Sequence, residues 1–332
     1  MRAFEIGGVS IKPGTSETVE LEVSVLANST RFDLPVHVLH GEKPGPCVFL
    51  SAAIHGDEIQ GVEIVRRVLV ALRGKALAGT ILAVPIVNSF GFLNHARYMP
   101  DKRDLNRSFP GSDRGSLASL LADLFFSEVV ARAQYGIDYH TAALHRTNLP
   151  QIRIAPGDKA LLPLAEAFGP RVILASKVRD GSLREAAAKI GVKILLYEGG
   201  EALRFDEAAI DAAVQGTLRI LKHLAVIEEA LPVPPHMKPV HSSSSSWIRA
   251  PEGGILHSLR RIGDRVGEGE EIGVVTGPLG QNPVAVTSDE DGIIIGRTQL
   301  PIVNRGDALF HIARIKGRPR AAQAVPDEDE II

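Results

Sequence analysis

The chain has 332 residues, 45% of them hydrophobic and 23% charged, with a formal net charge of -2. That length can bury at least one substantial core and favours two domains over one, and the composition is that of an ordinary globular protein. The near-neutral balance gives no general electrostatic reason to expect nucleic acid or an anionic membrane as a partner, so any charged ligand must be recognised locally.

Cys47 is the single cysteine, which rules out an intrachain disulfide and a multi-cysteine zinc cage. A zinc site in this chain has to be built from histidines and carboxylates. The opening MRAFEIGGVSIKPG lacks the apolar core of a signal peptide, and no apolar stretch is long enough to span a bilayer. The expectation is a cytoplasmic protein.

In chain order, VELEVSVLA (19–27) and LPVHVLHG (34–41) read as strands between Gly, Pro, Ser and Asn breakers. PCVFLSAAIHG (46–56) is too continuously apolar for an exposed edge and suits a buried central strand. The spacing in 57–74 then predicts an amphipathic helix, and GTILAVPIVN (79–88) the next strand. Strand, helix, strand implies a crossover unit, whose ligands gather at the carboxyl ends of the strands. His55 and Asn88 fall at such ends.

A helix is predicted over 117–133 and a short strand over YGIDYHTA (135–142). Strands at 172–176 and 192–200 flank a helix at 182–191, and 206–227 reads as a long helix. The α/β pattern therefore runs to about residue 230. PVPPHMKPVHSSSSSW (232–247) is a linker or entry loop by composition, its serines equally consistent with a mobile segment or the lead-in to a strand. Short Gly-punctuated strands up to residue 313 indicate a small β-barrel or sandwich, and the end of the chain is expected to be disordered. The expected organisation is an α/β catalytic domain over 1–231, a β-barrel with its linker over 232–317, and a tail over 318–332.

His55 and Glu58 form an HxxE pair directly after a strand, and three-residue spacing lets both side chains face one ion. Alone, such a pair is more often a surface or capping feature. His140 at the end of its strand is by itself as readily a core histidine as a ligand. Taken together, two histidines and one carboxylate with an open fourth position are the ligand set of catalytic zinc. Asp138 lies on the same pleat face as His140 and could orient it from behind, or simply be an exposed strand-end carboxylate.

The segment 88–111 carries Asn88, Arg97, Arg103, Asp104, Asn106 and Arg107, a polar density that packing does not explain. Arginine is the side chain best shaped to hold a carboxylate, although each of these could be a solvated loop charge. Glu198 ends an apolar strand ahead of two glycines, where partial burial would raise its pKa as a general base requires; a strand-terminating turn residue is the alternative. GxSxG, P-loop, GxGxxG and HExxH signatures are absent.

The set HGDE (55–58), NSFGF with RYMPDKRDLNRSFPG (88–111), DYHT (138–141) and YEGG (197–200) resembles the succinylglutamate desuccinylase/aspartoacylase family, over about residues 45–225. The resemblance implies a zinc carboxypeptidase-like mixed sheet flanked by helices. It implies one zinc ion on His55, Glu58 and His140, with Glu198 as acid/base. By the same resemblance Arg97 supports the carbonyl oxygen, with Arg103 as its rival, and Asn106, Arg107 and Arg184 hold a substrate carboxylate. The expected activity is hydrolysis of a small N-acyl amino acid or related N-acyl amine, the alternative being a zinc carboxypeptidase acting on short peptides. A homo-oligomer is expected. The C-terminal segment is similar to biotinyl/lipoyl carrier domains, but TSDEDG (287–292) has no lysine to modify, so a structural or pocket-covering role is expected.

Overall fold

The computed structural model describes residues 2–228 and 238–315. The proline-rich part of the expected linker, the boundary at 231 and the tail over 318–332 lie outside the described residues.

A hairpin of β1 (Phe4–Ile6) and β2 (Val9–Ile11) precedes the long antiparallel pair β3 (Thr15–Val25) and β4 (Arg31–His40). Then follow β5 (Lys43–Ala52), α1 (Gln60–Ala71), β6 (Ala78–Val84), α2 (Ser89–Leu93) and α3 (Leu117–Glu128). β7 (Tyr135–Ala142), β8 (Arg146–Ile154), α4 (Leu162–Phe168), β9 (Val172–Ala175), α5 (Leu183–Lys189), β10 (Lys193–Glu201) and α6 (Glu207–His223) complete the α/β part. The C-terminal part is all β: β11 (Val240–Ser242), β12 (Ser245–Arg249), β13 (Gly254–Ser258), β14 (Arg265–Val266), β15 (Glu271–Thr276), β16 (Val284–Thr287), β17 (Gly292–Thr298), β18 (Ile302–Val303) and β19 (Ala308–Arg314).

The main sheet is mixed, in the order β12-β19-β17-β8-β10-β7-β5-β6-β4-β3. Its centre, β10-β7-β5-β6, is parallel. Both faces of that centre are covered, which is why these strands are continuous apolar runs rather than alternating ones. One face packs Ile137, Tyr139, Leu195 and Tyr197 against α1, α4 and α6. The other packs Phe49, Leu82 and Ile194 against α3, α5 and the first hairpin. The two buried tyrosines are satisfied: the Tyr139 hydroxyl shares a hydrogen bond with Thr217 Oγ1 at 2.7 Å, and Tyr197 donates to the Ala209 carbonyl at 2.6 Å.

The sheet does not stop where the α/β pattern ends. β8 pairs along one edge with β10, while its other edge is shared, residues 146–148 pairing with β17 and residues 151–154 with β9. The serine run spans two strands: Ser242 ends β11, which pairs with β9, Ser245 and Ser246 open β12, which pairs with β19, and Ser243 and Ser244 link the two. A separate four-stranded sheet, β16-β15-β13-β18, closes the C-terminal core around Ile272, Leu309 and Phe310.

Candidate active site

His55, His140 and Glu198 sit at or just past the carboxyl ends of β5, β7 and β10, adjacent parallel strands, and so line one crevice. The helix expected from residue 57 begins at Gln60, because residues 55–59 form a turn in which the Glu58 amide donates to the His55 carbonyl at 3.1 Å. Gly56 permits that turn. A Cβ there would lie 2.0 Å from the Gly91 carbonyl carbon, and its amide donates to the Arg97 carbonyl at 3.3 Å. The loop after β6 therefore presses directly on the 55–58 turn.

One donor atom each from His55, Glu58 and His140 lies within 4.8 Å of the others, all three residues being buried. The Glu58 carboxylate bridges them: Oε1 is 2.6 Å from His55 Nδ1 and Oε2 is 2.8 Å from His140 Nδ1. The Thr141 amide also donates to Oε2 at 3.1 Å. The far nitrogen of each ring faces a further carboxylate. His140 Nε2 lies 2.8 Å from Asp138 Oδ2, whose other oxygen accepts from Ser51 Oγ at 2.7 Å, and His55 Nε2 lies 3.2 Å from Asp104 Oδ1. Histidines that ligate metals are oriented this way, with the second nitrogen tied to an acid.

The charges of the cluster are strongly interdependent. Burial pushes the Glu58 carboxyl up, and the imidazoles of His55 and His140 outweigh it, holding Glu58 well below the usual carboxylate range. Burial likewise lowers His140, but Asp138 and Glu58 raise it well above the usual imidazole value. Burial and Arg97 lower His55, and Glu58 with Asp104 reverses that to a net rise. Asp57, buried beside Glu58, is pushed up to about 6, chiefly by burial and then by the neighbouring carboxylate. Glu58, Asp104 and Asp138 thus surround two imidazoles with negative charge. A donor set of two imidazole nitrogens and a carboxylate, backed by further acids, fits a divalent cation.

Arg97 stands at the site. Its guanidinium is 3.5 Å from Glu58 Oε1 and 2.9 Å from Asp104 Oδ2. Its rival Arg103 is exposed and pairs with Asp101 at 3.7 Å. Asn88 helps to hold the Arg97 loop: Oδ1 caps α2 by accepting from Gly91, and Nδ2 donates to the Arg97 carbonyl at 3.2 Å. Asn106 is buried, its Oδ1 accepting from the Leu183 amide at 2.9 Å, while Arg107 donates to the Asn106 carbonyl at 2.9 Å. The Leu183–Asn106 contact brings the start of α5, with Arg184, against the 104–109 segment. Arg184 Nη2 donates to the Lys177 carbonyl at 3.3 Å.

Glu198 is buried and pairs in register with His140. Gln60, at the start of α1, donates to the Gly199 carbonyl at 2.8 Å and so ties the end of β10 to the turn that carries His55 and Glu58. Two neighbours of Glu198 lie on β8, which no sequence signal marked as a strand: Asn148 Nδ2 donates to Oε2 at 3.0 Å, and Arg153 Nη1 is 3.5 Å from Oε1. Asp104, behind His55, was visible as a loop acid without a role. Beside the turn lies a mostly apolar cleft of about 370 Å³, lined by Ile59, Val62, Phe92, His95, Leu203 and Phe205.

Fold and site together define an α/β protein with a candidate divalent-metal centre at the carboxyl ends of its parallel strands. Residues 44–224 match the succinylglutamate desuccinylase/aspartoacylase catalytic domain, and the chain belongs to that family. It is 29% identical over 302 residues to the N-alpha-acetyl-L-2,4-diaminobutyric acid deacetylase of Halomonas elongata, covering 85% of this chain and 86% of that protein. Its structure is similar to that of a succinylglutamate desuccinylase/aspartoacylase from Rhodobacter sphaeroides, with a TM-score of 0.80 and 25% identity, covering 92% of this chain and 97% of the other. The product-bound ectoine utilization protein EutE (DoeB) of Ruegeria pomeroyi shares the fold, with a TM-score of 0.78 at 20% identity over 91% of this chain and 96% of that one. No helix among the described residues is long and apolar enough to cross a membrane.

Proposed function

We propose that this chain is a zinc-dependent amidohydrolase that removes the acyl group from a small N-acyl amino acid or a related N-acyl amine. The observation that carries the reading is the convergence of His55, Glu58 and His140 donor atoms within 4.8 Å, one strand away from Glu198. The relation to the Halomonas elongata deacetylase supports amide hydrolysis and puts N-acetylated diamino acids first among substrates to try.

His55 Nδ1, Glu58 and His140 Nδ1 would hold the zinc, which when bound supplies positive charge that polarises a carbonyl and acidifies a water molecule. Glu198 takes a proton from the attacking water at its carboxylate and returns it to the departing amine nitrogen. Arg97 bears on the carbonyl oxygen as negative charge develops there, a contribution of roughly 3 kcal/mol for one donor in comparable sites. Asn106, Arg107 and Arg184 hold the substrate carboxylate, which fixes the amide against the reacting groups. Arg97 is preferred to Arg103 for the oxyanion because only Arg97 reaches Glu58.

The test is a screen of N-acylated amino acids and diamines against short peptides, read as free amine, on zinc-loaded protein and on Glu198→Gln. Turnover of the N-acyl compounds, lost by several orders of magnitude in a folded, zinc-loaded Glu198→Gln, is expected. Cleavage of peptides alone, or full turnover by the variant, would overturn the assignment.

A further inference from the structure

The C-terminal strands reach the site through β8. Asn148 lies where β8 passes from one neighbour to another, opposite Gly200 on β10 and opposite Gly296 on β17. The pairing of β10 with β8 shifts register between Glu198 and Gly200, and Asn148 fills the irregularity with its side chain directed at the Glu198 carboxylate. An ionised carboxylate only accepts hydrogen bonds, so the amide nitrogen of Asn148 must face it and the amide oxygen must face away.

That oxygen rests against Gly296. A Cβ at Gly296 would stand 2.8 Å from Asn148 Oδ1 and 3.2 Å from His311 Cβ, so any larger residue displaces the amide or the strand that carries His311. The contact is reinforced on the same edge. The Trp247 and His311 rings stack with centroids 4.6 Å apart, and the Arg146 guanidinium lies 5.4 Å from the centre of the Trp247 ring. β8 is thus clamped between the strand that bears Glu198 and strands of the C-terminal region.

We propose that Asn148 is a positioning residue for Glu198, and that the C-terminal region, through Gly296, sets where its amide sits. This rests on the reading of Glu198 as the proton-transfer group. The hydrogen bond to Oε2 fixes the plane of the carboxylate, and a reacting group misplaced by about 1 Å can lose on the order of 100-fold in rate. The C-terminal strands then act on the chemistry through Asn148, by way of Gly296.

The experiment measures kcat and KM separately, with zinc per chain and melting temperature, for Asn148→Asp and Gly296→Ala. Asn148→Asp keeps the shape of the side chain and replaces its donor by an oxygen. Thr298→Ala, on the same strand pair opposite Arg146, is the control and retains the parent kcat. The expected result is a fall in kcat of about 10-fold to 100-fold in both variants, with KM and zinc content within about two-fold of the parent. A crystal structure of Gly296→Ala is expected to show the Asn148 amide moved off Glu198. If one variant fails to fold, the other carries the test. An unchanged kcat in a folded Asn148→Asp, with Glu198→Gln inactive, sinks the positioning role alone; full turnover by Glu198→Gln sinks it together with the assignment of Glu198.

Discussion

Asp138→Asn isolates the contribution of the acid behind His140. The substitution preserves size, and the amide oxygen can still accept from His140 Nε2, so packing in the buried β7 environment changes little. What is lost is the charge on a 2.8 Å contact. A charge-assisted hydrogen bond is worth about 1.5–3 kcal/mol against roughly 1 kcal/mol for a neutral one. Removing an acid behind a metal-binding histidine typically lowers metal affinity about 10-fold to 100-fold, or about 1.4–2.8 kcal/mol. Ser51→Ala leaves the Asp138 charge in place and removes one 2.7 Å donor, so its effect is expected to be smaller. The assay is a competition titration of zinc between metal-free protein and a chromophoric chelator. A folded Asp138→Asn protein that binds zinc as tightly as the parent would refute the claim that this carboxylate serves the ligand.

Arg97→Ala is expected to lower kcat about 100-fold to 1,000-fold, the cost of one lost oxyanion donor, while Arg103→Ala leaves it within about two-fold; steady-state kinetics on both decides between the two arginines. Cys47 is buried and its thiol is pushed up to about 12 by burial, so it is expected to resist iodoacetamide at pH 8 until the protein is unfolded, as intact mass would record. Hydrogen bonds from Arg66, only partly opposed by burial, and from Arg67 bring the Glu63 carboxyl down to about 2. Its depressed pKa contributes stability above its unfolded value of about 4.5, and that contribution is lost as pH falls towards about 2. Denaturant melts are therefore expected to show Glu63→Gln less stable than the parent at pH 7 and level with it near pH 2.

Much of the site was legible because its residues sit at strand ends with polar side chains that a core does not need. His55, Glu58, His140 and Glu198 each follow or end an apolar run, and the sheet brings them to one crevice. β8 was not legible. Its inward positions include Asn148, Gln151 and Arg153, all buried, and Pro150 interrupts it, so neither alternation nor a continuous apolar run marks it. The partners of Glu198 were hidden with it. Asp104 could not be assigned to His55 from spacing, because they lie 49 positions apart with α1, β6 and α2 between them, and only the folded loop closes that distance to 3.2 Å. The serines of β11 and β12 carry little hydrophobic signal; their strands are defined by pairing with β9 and β19.

The most direct test of the metal-centred account is diffraction from zinc-soaked crystals on both sides of the zinc absorption edge. One anomalous peak per chain is expected, coordinated by His55 Nδ1, Glu58 and His140 Nδ1, and absent from crystals of His140→Ala. A peak elsewhere, or none at this cluster in a catalytically active crystal, would contradict it.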